Sequence, residues 1–138
     1  MSYSRRDLGL LLPALMAAAD ATAQDKGIPT TVFNFENLPP KPSGSRSRPI
    51  LDGKIYNGCP LEIHATELPP GGAPHAAHHH EHEEMFLVRE GTLQATVSGK
   101  VSNLGPGSMV FVHSNEEHGV KNVGTTTAHY FVIALGQK

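Results

Sequence analysis

Three imidazoles and a carboxylate fall in this chain at intervals that suit a single metal ion. One residue separates His78 from His80, three more precede Glu84, and His118 stands about one hairpin further on. In an extended strand side chains alternate faces with period two, so His78 and His80 point the same way. Glu84, at an even offset from both, stays on that face if the strand runs on. A consecutive segment cannot close a coordination sphere alone, so a fourth ligand has to arrive from elsewhere in the fold, and His118 is the candidate. Such a set suits Fe, Mn, Ni, Cu or Zn, and an octahedral ion would keep positions open for water, oxygen or substrate. Open positions separate a reactive site from a purely structural one.

Other readings of these residues are weaker. The run containing His75, His78, His79, His80 and His82 resembles a metal-scavenging tract or an affinity tag, but it sits mid-chain and flows into the apolar strand Met85 to Val88. His75, His79 and His82 are read as neighbours of the ligands, any of which can orient a ligand through a hydrogen bond.

The elements that must position these groups read as strands. Leu61 to Leu68 alternates Leu61, Ile63 and Ala65 against Glu62, His64 and Thr66, and Pro69-Pro70-Gly71-Gly72 ends it. After the histidine segment come Glu84 to Arg89, Leu93 to Val97, a turn at Ser98-Gly99-Lys100, Val101 to Leu104, Met109 to His113, a strand beginning at His118, and Ala128 to Leu135. Thr30 to Phe35 is expected as a short strand and Leu38 to Pro49 as an extended arm or loop. Met85 to Val88 and Tyr130 to Leu135 are apolar on both faces, so something must cover the outside of the sheet, either a second copy of the chain or that arm. Arg46 and Arg48 on the arm are read as solvated linker charges. Regular short strands with glycine turns, and no convincing helix, indicate an all-β sandwich or barrel.

The two clusters carry a resemblance. Gly72, five residues, His78, one residue, His80, three residues, Glu84, six residues and Gly91 is similar to the first half of the cupin signature. Gly107, five residues, His113, four residues, His118, three residues and Asn122 is similar to the second. The resemblance implies a double-stranded β-helix or jelly-roll barrel in a single domain, with His78, His80, Glu84 and His118 as metal ligands. It also implies one divalent metal ion, with Fe or Mn favoured, and a homodimer packed sheet against sheet. Two positions depart from the family pattern: His113 stands where proline is usual and Asn115 where glycine is usual. Asparagine visits the left-handed region more readily than most residues, so a turn there survives. His113 is read as an exposed histidine at a strand end.

Composition bounds the rest. With 138 residues, 38% of them hydrophobic and 17% charged, the chain is one globular domain. A net charge of −2 and a pI near 6.5 leave no electrostatic footprint for nucleic acid. At the N-terminus Ser4-Arg5-Arg6-Asp7-Leu8 precedes an apolar run to Ala19, and Ala21-Thr22-Ala23 supplies small residues for cleavage. This is similar to a twin-arginine export signal over residues 1–23, and the run is short of the roughly 20 residues that span a bilayer. The expected organisation is therefore a signal at 1–23, a strand and Pro/Ser/Arg-rich arm at 24–58, and the barrel at 59–138. The processed protein is expected to be periplasmic or secreted, with no membrane anchor. Cys59, the single cysteine, precludes an intramolecular disulfide and is read as a small buried hydrophobe.

Two function classes remain. The first is a mononuclear metal-dependent enzyme with dioxygenase- or isomerase-type chemistry on a small organic substrate, in which inward-facing His64, His129 or Tyr130 supply acid/base function. The second is a barrel that binds or senses a small ligand or metal without turnover. The ligand set is complete in either case, and fold analogy does not separate them.

Overall fold

The computed structural model describes residues 27–39, 41, 43–44 and 46–137. The export motif and its apolar run lie outside them. Among the described residues no helix is long and apolar enough to cross a membrane. Eight strands follow in order: β1 Ser47–Lys54, β2 Pro60–Leu68, β3 Glu83–Glu90, β4 Leu93–Val97, β5 Lys100–Leu104, β6 Met109–Val112, β7 His118–Asn122 and β8 Ala128–Leu135. They form a five-stranded sheet, β1-β2-β8-β3-β6, and a three-stranded sheet, β5-β4-β7, and every named pairing is antiparallel. This is the all-β architecture expected from the strand pattern, in the jelly-roll form that the resemblance implies.

Alternation decides which side chains fill the space between the sheets. Along β8, Ala128, Tyr130, Val132 and Ala134 are buried, while His129, Phe131, Ile133 and Leu135 are half-buried on the other face. Leu68, Phe86, Val88, Leu93, Ala95, Leu104, Val112 and Val120 complete the core with them. Leu68, Leu93, Val88 and Val112 are among its largest fully buried side chains. Each such side chain contributes about 1.5–3 kcal/mol relative to exposure. Two turns show why glycine is needed. Gly91, between β3 and β4, has φ of +81°, and a Cβ there would sit 2.8 Å from the Ala128 Cα. Ser98 and Gly99, with φ of 47° and 78°, join β4 to β5 in a tight reversal of the kind that matches strand twist.

The N-terminal segment departs from expectation twice. Thr30 to Phe35 is not a strand: residues 30–34 are irregular and Phe35–Asn37 form a 3₁₀ turn. Asn34 caps that turn, its side-chain oxygen accepting from the Glu36 N–H at 3.2 Å, which offers the backbone a local alternative to a ladder. The stretch read as arm becomes β1 from Ser47 onward. Pro49 is tolerated there because β1 is an edge strand whose pairing with β2 shifts register between Pro49 and Leu51. Cys59 is half-buried beside β2, with its Sγ 3.6 Å from the Pro60 carbonyl oxygen.

The outer face of the larger sheet is apolar, as the two-faced strands require. Phe35 covers part of it, its ring edge-on to Phe131 at 6.1 Å with the Arg89 guanidinium 3.9 Å from its centroid. Arg48 lies over the same ring at 5.4 Å, and Arg46 donates to the Ala73 carbonyl at 3.1 Å, so both have partners within the fold. Beyond that cover, Met109 and Phe111 of β6 remain 54% and 50% exposed.

Candidate metal centre

Backbone hydrogen bonds bring the two sequence clusters together. The segment before β3 meets the start of β7 through a reciprocal pair: His78 N–H donates to the His118 carbonyl at 3.0 Å, and His118 N–H to that of His78 at 2.8 Å. The Asn115 N–H donates to the His80 carbonyl at 2.8 Å, and Asn115 adopts the left-handed conformation anticipated for it, with φ of 63°. At the far end of β7, Asn122 N–H donates to Gly72 O at 2.8 Å and receives the Gly71 N–H on its own carbonyl at 3.0 Å. The Asn122 side chain, fully buried, donates to the carbonyls of Leu68 and Thr126, both at 2.8 Å, and accepts from the Gly124 N–H at 2.9 Å.

These ties aim the imidazoles. Nδ1 of His80 lies 2.8 Å from the His82 carbonyl and Nδ1 of His118 lies 2.9 Å from the Glu116 carbonyl. Each Nδ1–H donates outward, which leaves Nε2 as the ligating atom. The candidate ligand atoms of His78, His80 and His118 lie within 4.8 Å of one another. Glu84 Oε2 stands 3.1 Å from His118 Nε2 and 3.5 Å from His80 Nε2.

The donor set fits a cation on a direct observation. His78 Nδ1 and His80 Nε2 are buried with no hydrogen-bond partner. Each such nitrogen costs about 1–3 kcal/mol if left unmatched, and a metal ion satisfies neutral imidazole nitrogens of this kind. His82 lies beside this group. Its ligand atom lies within 4.8 Å of those of His80 and Glu84, its Nδ1 is likewise buried without a partner, and its ring stacks on His80 at 3.5 Å and 6°. His82 lies at an even offset from residues 78, 80 and 84, although only Glu84 of these four stands in a strand. His75 meets the His78 ring edge-on at 4.2 Å, whereas His79 and His113 are exposed.

Burial shapes the protonation of these groups. It lowers the pKa of His64, with Glu84 opposing, and it is the largest cause of the lowered pKa of His78 and His82, assisted by neighbouring imidazoles. All three therefore stay neutral, and able to bind metal or accept a proton, to lower pH than a free imidazole. The stability consequence has a definite sign. As pH falls below about 6.5 the unfolded chain takes up protons that the folded chain refuses, so stability is full above that value and declines as pH drops toward the lowered folded values. Chelator-treated protein should therefore melt a few degrees lower at about pH 5.5 than at about pH 7.5. Equal melting temperatures at the two values would contradict the burial of these rings.

A chamber of about 260 Å³ opens beside the donors, lined by Ser47, His64, Thr66, Pro74, His75, Glu84, Phe86, Tyr130 and Val132. His64 and Tyr130 thus stand in its wall, as the sequence suggests. His129 does not: one residue before Tyr130 in β8, it points to the outer face and lines a small hollow with Phe35, Arg46, Arg48 and Arg89. Strand alternation makes it impossible for His129 and Tyr130 to share a face.

Comparison with known proteins adds the following. A family model described as Cupin domain matches residues 64–134. No curated protein matches the chain. Among solved structures, an RmlC-like cupin from Shewanella frigidimarina superposes with a TM-score of 0.62 at 18% identity, over 82% of this chain and 96% of that one. A cupin protein from Bacteroides fragilis gives 0.52 at 18% identity, over 55% of this chain and 65% of its own length. The DMSP lyase DddQ from Ruegeria pomeroyi gives 0.50 at 24% identity, over 56% of this chain and 39% of the lyase. At these identities the likeness is one of fold.

Proposed function

Since the chain belongs to the cupin domain family, with a fold and a donor cluster to match, we propose that it is a mononuclear metal-dependent enzyme with dioxygenase- or isomerase-type chemistry on a small organic substrate. The observation that carries this reading is that Glu84, the carboxylate of the donor cluster, lines a chamber of about 260 Å³. His78, His80, Glu84 and His118 would hold one divalent ion, Fe or Mn first among the ions such donors accept. When bound, that ion supplies Lewis-acid or one-electron chemistry to a substrate oxygen.

The remaining work falls to the chamber walls. His64, kept neutral by burial, can accept a proton from a substrate lying against it. Burial holds the Tyr130 phenol above its usual pKa, so it acts as a neutral donor. Phe86 and Val132 present apolar surface beside His64 and between Tyr130 and Glu84.

The proposal includes export by the twin-arginine route, motivated by Arg5-Arg6 and the apolar run that follows. One experiment tests the reading as a whole. The processed chain is recovered from the periplasmic fraction, loaded with Fe or Mn, and screened for oxygen uptake and product formation on small oxygen-bearing organics. Turnover supports the enzyme. Tight ligand binding without product would make the chain a binding or sensing barrel.

We extend the proposal to a homodimer packed through the outer face of the larger sheet, motivated by the exposed Met109 and Phe111 there. Sedimentation equilibrium should give twice the chain mass for the wild type and the chain mass for Met109→Lys/Phe111→Lys. A monomeric wild type would refute it.

A further inference from the structure

The chamber wall is banded, and the bands follow from strand register. Nearest the donors, Glu84 of β3 has Val112 and Ala134 as its partners on either side. Two residues along, Phe86 is beside Val132, and Val132 beside His64. Two further, at the level of Val88, Tyr130 is beside Thr66, and Thr66 beside Ser47. A strand advances about 3.3 Å per residue, so the last row stands roughly 13 Å along the strands from the first, and the row between them sets apolar Phe86 and Val132 beside His64. The rings connect in the same sequence: His118 to Phe86 at 6.0 Å, and Phe86 to Tyr130 at 6.1 Å.

The far row is a line of uncharged hydroxyls. Ser47 Oγ and Thr66 Oγ1 lie 3.0 Å apart, and the Tyr130 side chain is hydrogen-bonded to Thr66. Thr66 and Tyr130 are 3% and 2% exposed, which places these hydroxyls in a desolvated wall. Neither lysine nor arginine lines the chamber, and Glu84, at the donor end, is its one carboxylate. The Arg46 guanidinium acts on the Tyr130 phenol from outside, where it is exposed and donates to the Ala73 carbonyl.

We propose that the chamber selects a ring-sized organic molecule built in three parts: an oxygen-donor head for the metal, an apolar middle against Phe86 and Val132, and an uncharged hydroxyl or carbonyl at the far end, held by Tyr130, Thr66 and Ser47. This rests on the metal-centre reading above. A far-end carboxylate would lose its hydration among neutral hydroxyls, with the Arg46 guanidinium outside the chamber and donating to the Ala73 carbonyl. A far-end methyl group would occupy the same space and leave the hydroxyl row without the ligand's hydrogen bond.

Three probes with one metal-binding head and different far ends separate these cases: 4-(hydroxymethyl)catechol, 4-methylcatechol and 3,4-dihydroxybenzoate. Each is titrated without oxygen into the cobalt(II)-loaded full chain, and binding is read from the visible cobalt spectrum. The hydroxymethyl probe should bind about 10-fold or more tighter than either of the others. In Tyr130→Phe/Thr66→Val that probe should weaken about 10-fold while 4-methylcatechol changes by less than about 3-fold, which also reports that the variant is folded. Tightest binding by the carboxylate, equal binding by the hydroxymethyl and methyl probes, an equal loss for all three in the variant, or no spectral change with any of them overturns the inference. Failure of the wild-type chain to bind cobalt overturns the metal-centre reading itself, and the inference with it.

Discussion

Replacing His118 with alanine should empty the metal centre, whereas replacing His82 should leave it loaded. The two substitutions matter because the structure offers two overlapping donor sets, His78, His80 and His118 on one side and His80, His82 and Glu84 on the other. His118 has the geometry of a ligand: its side chain is 1% exposed, its Nδ1 is committed to the Glu116 carbonyl, and its Nε2 is 3.1 Å from Glu84. His82 instead lies flat against His80, which suits a residue that holds a ligand's ring in place. Losing a partner of that kind typically lowers metal affinity about 10–100-fold, and losing a ligand costs more. The expected order is therefore a loss above about 100-fold for His118→Ala, near 10-fold for His82→Ala, and no measurable occupancy for His80→Ala/His118→Ala. Elemental analysis after dialysis against graded chelator decides it. Greater loss in His82→Ala than in His118→Ala would move the ion to the second donor set, and equal metal in the double variant and the wild type would remove it from both.

Asn122→Ala should be strongly destabilising, lowering unfolding free energy by about 2–4 kcal/mol. The side chain is 0% exposed and makes three hydrogen bonds, to the carbonyls of Leu68 and Thr126 and from the Gly124 N–H. Truncation leaves the Leu68 carbonyl unmatched in the core, at about 1–3 kcal/mol, and removes the ties to the Thr126 carbonyl and the Gly124 N–H at the chain's surface. Asn122→Asp should be at least as damaging, because it sets a carboxylate against two carbonyls where the amide donated to both. Denaturant midpoints for the two variants check this. A loss below about 1 kcal/mol in both would mean that the loops relax to bond elsewhere.

How far the sequence reaches can be judged residue by residue. The bounds of β4 and β8 are readable because a β-prone run stands between turn residues, and the signature residues meet although only Glu84 and His118 stand in strands, His78 forming a lone bridge to His118 and His80 lying in an irregular segment. β1 is harder: Ser47, Arg48 and Pro49 look like linker, and only its edge position, where a missing N–H faces no partner strand, lets it join the sheet. In β2 the polar set of the alternation turns inward, with Thr66 buried and His64 in the chamber wall. Its apolar set, including Leu61 and Ile63, takes the outer face, because a barrel whose interior carries a polar-lined chamber inverts the usual rule that polar side chains face out. His129 could not share the inside with Tyr130. His82 was within reach of the rule that linked its neighbours.

The backbone pairings that join His78 to His118 and His80 to Asn115 have a kinetic corollary. They are amide-to-carbonyl bonds that use none of the imidazole or carboxylate atoms, so the placement of these segments follows from backbone pairing. An arriving ion orders few torsions, and a departing one leaves the scaffold standing. Replacement of one metal by another is then a local event at the imidazole tips, limited by passage through the chamber mouth. The ion found in the purified protein will accordingly reflect which metal the finished fold last equilibrated with, and not which one it needed in order to fold.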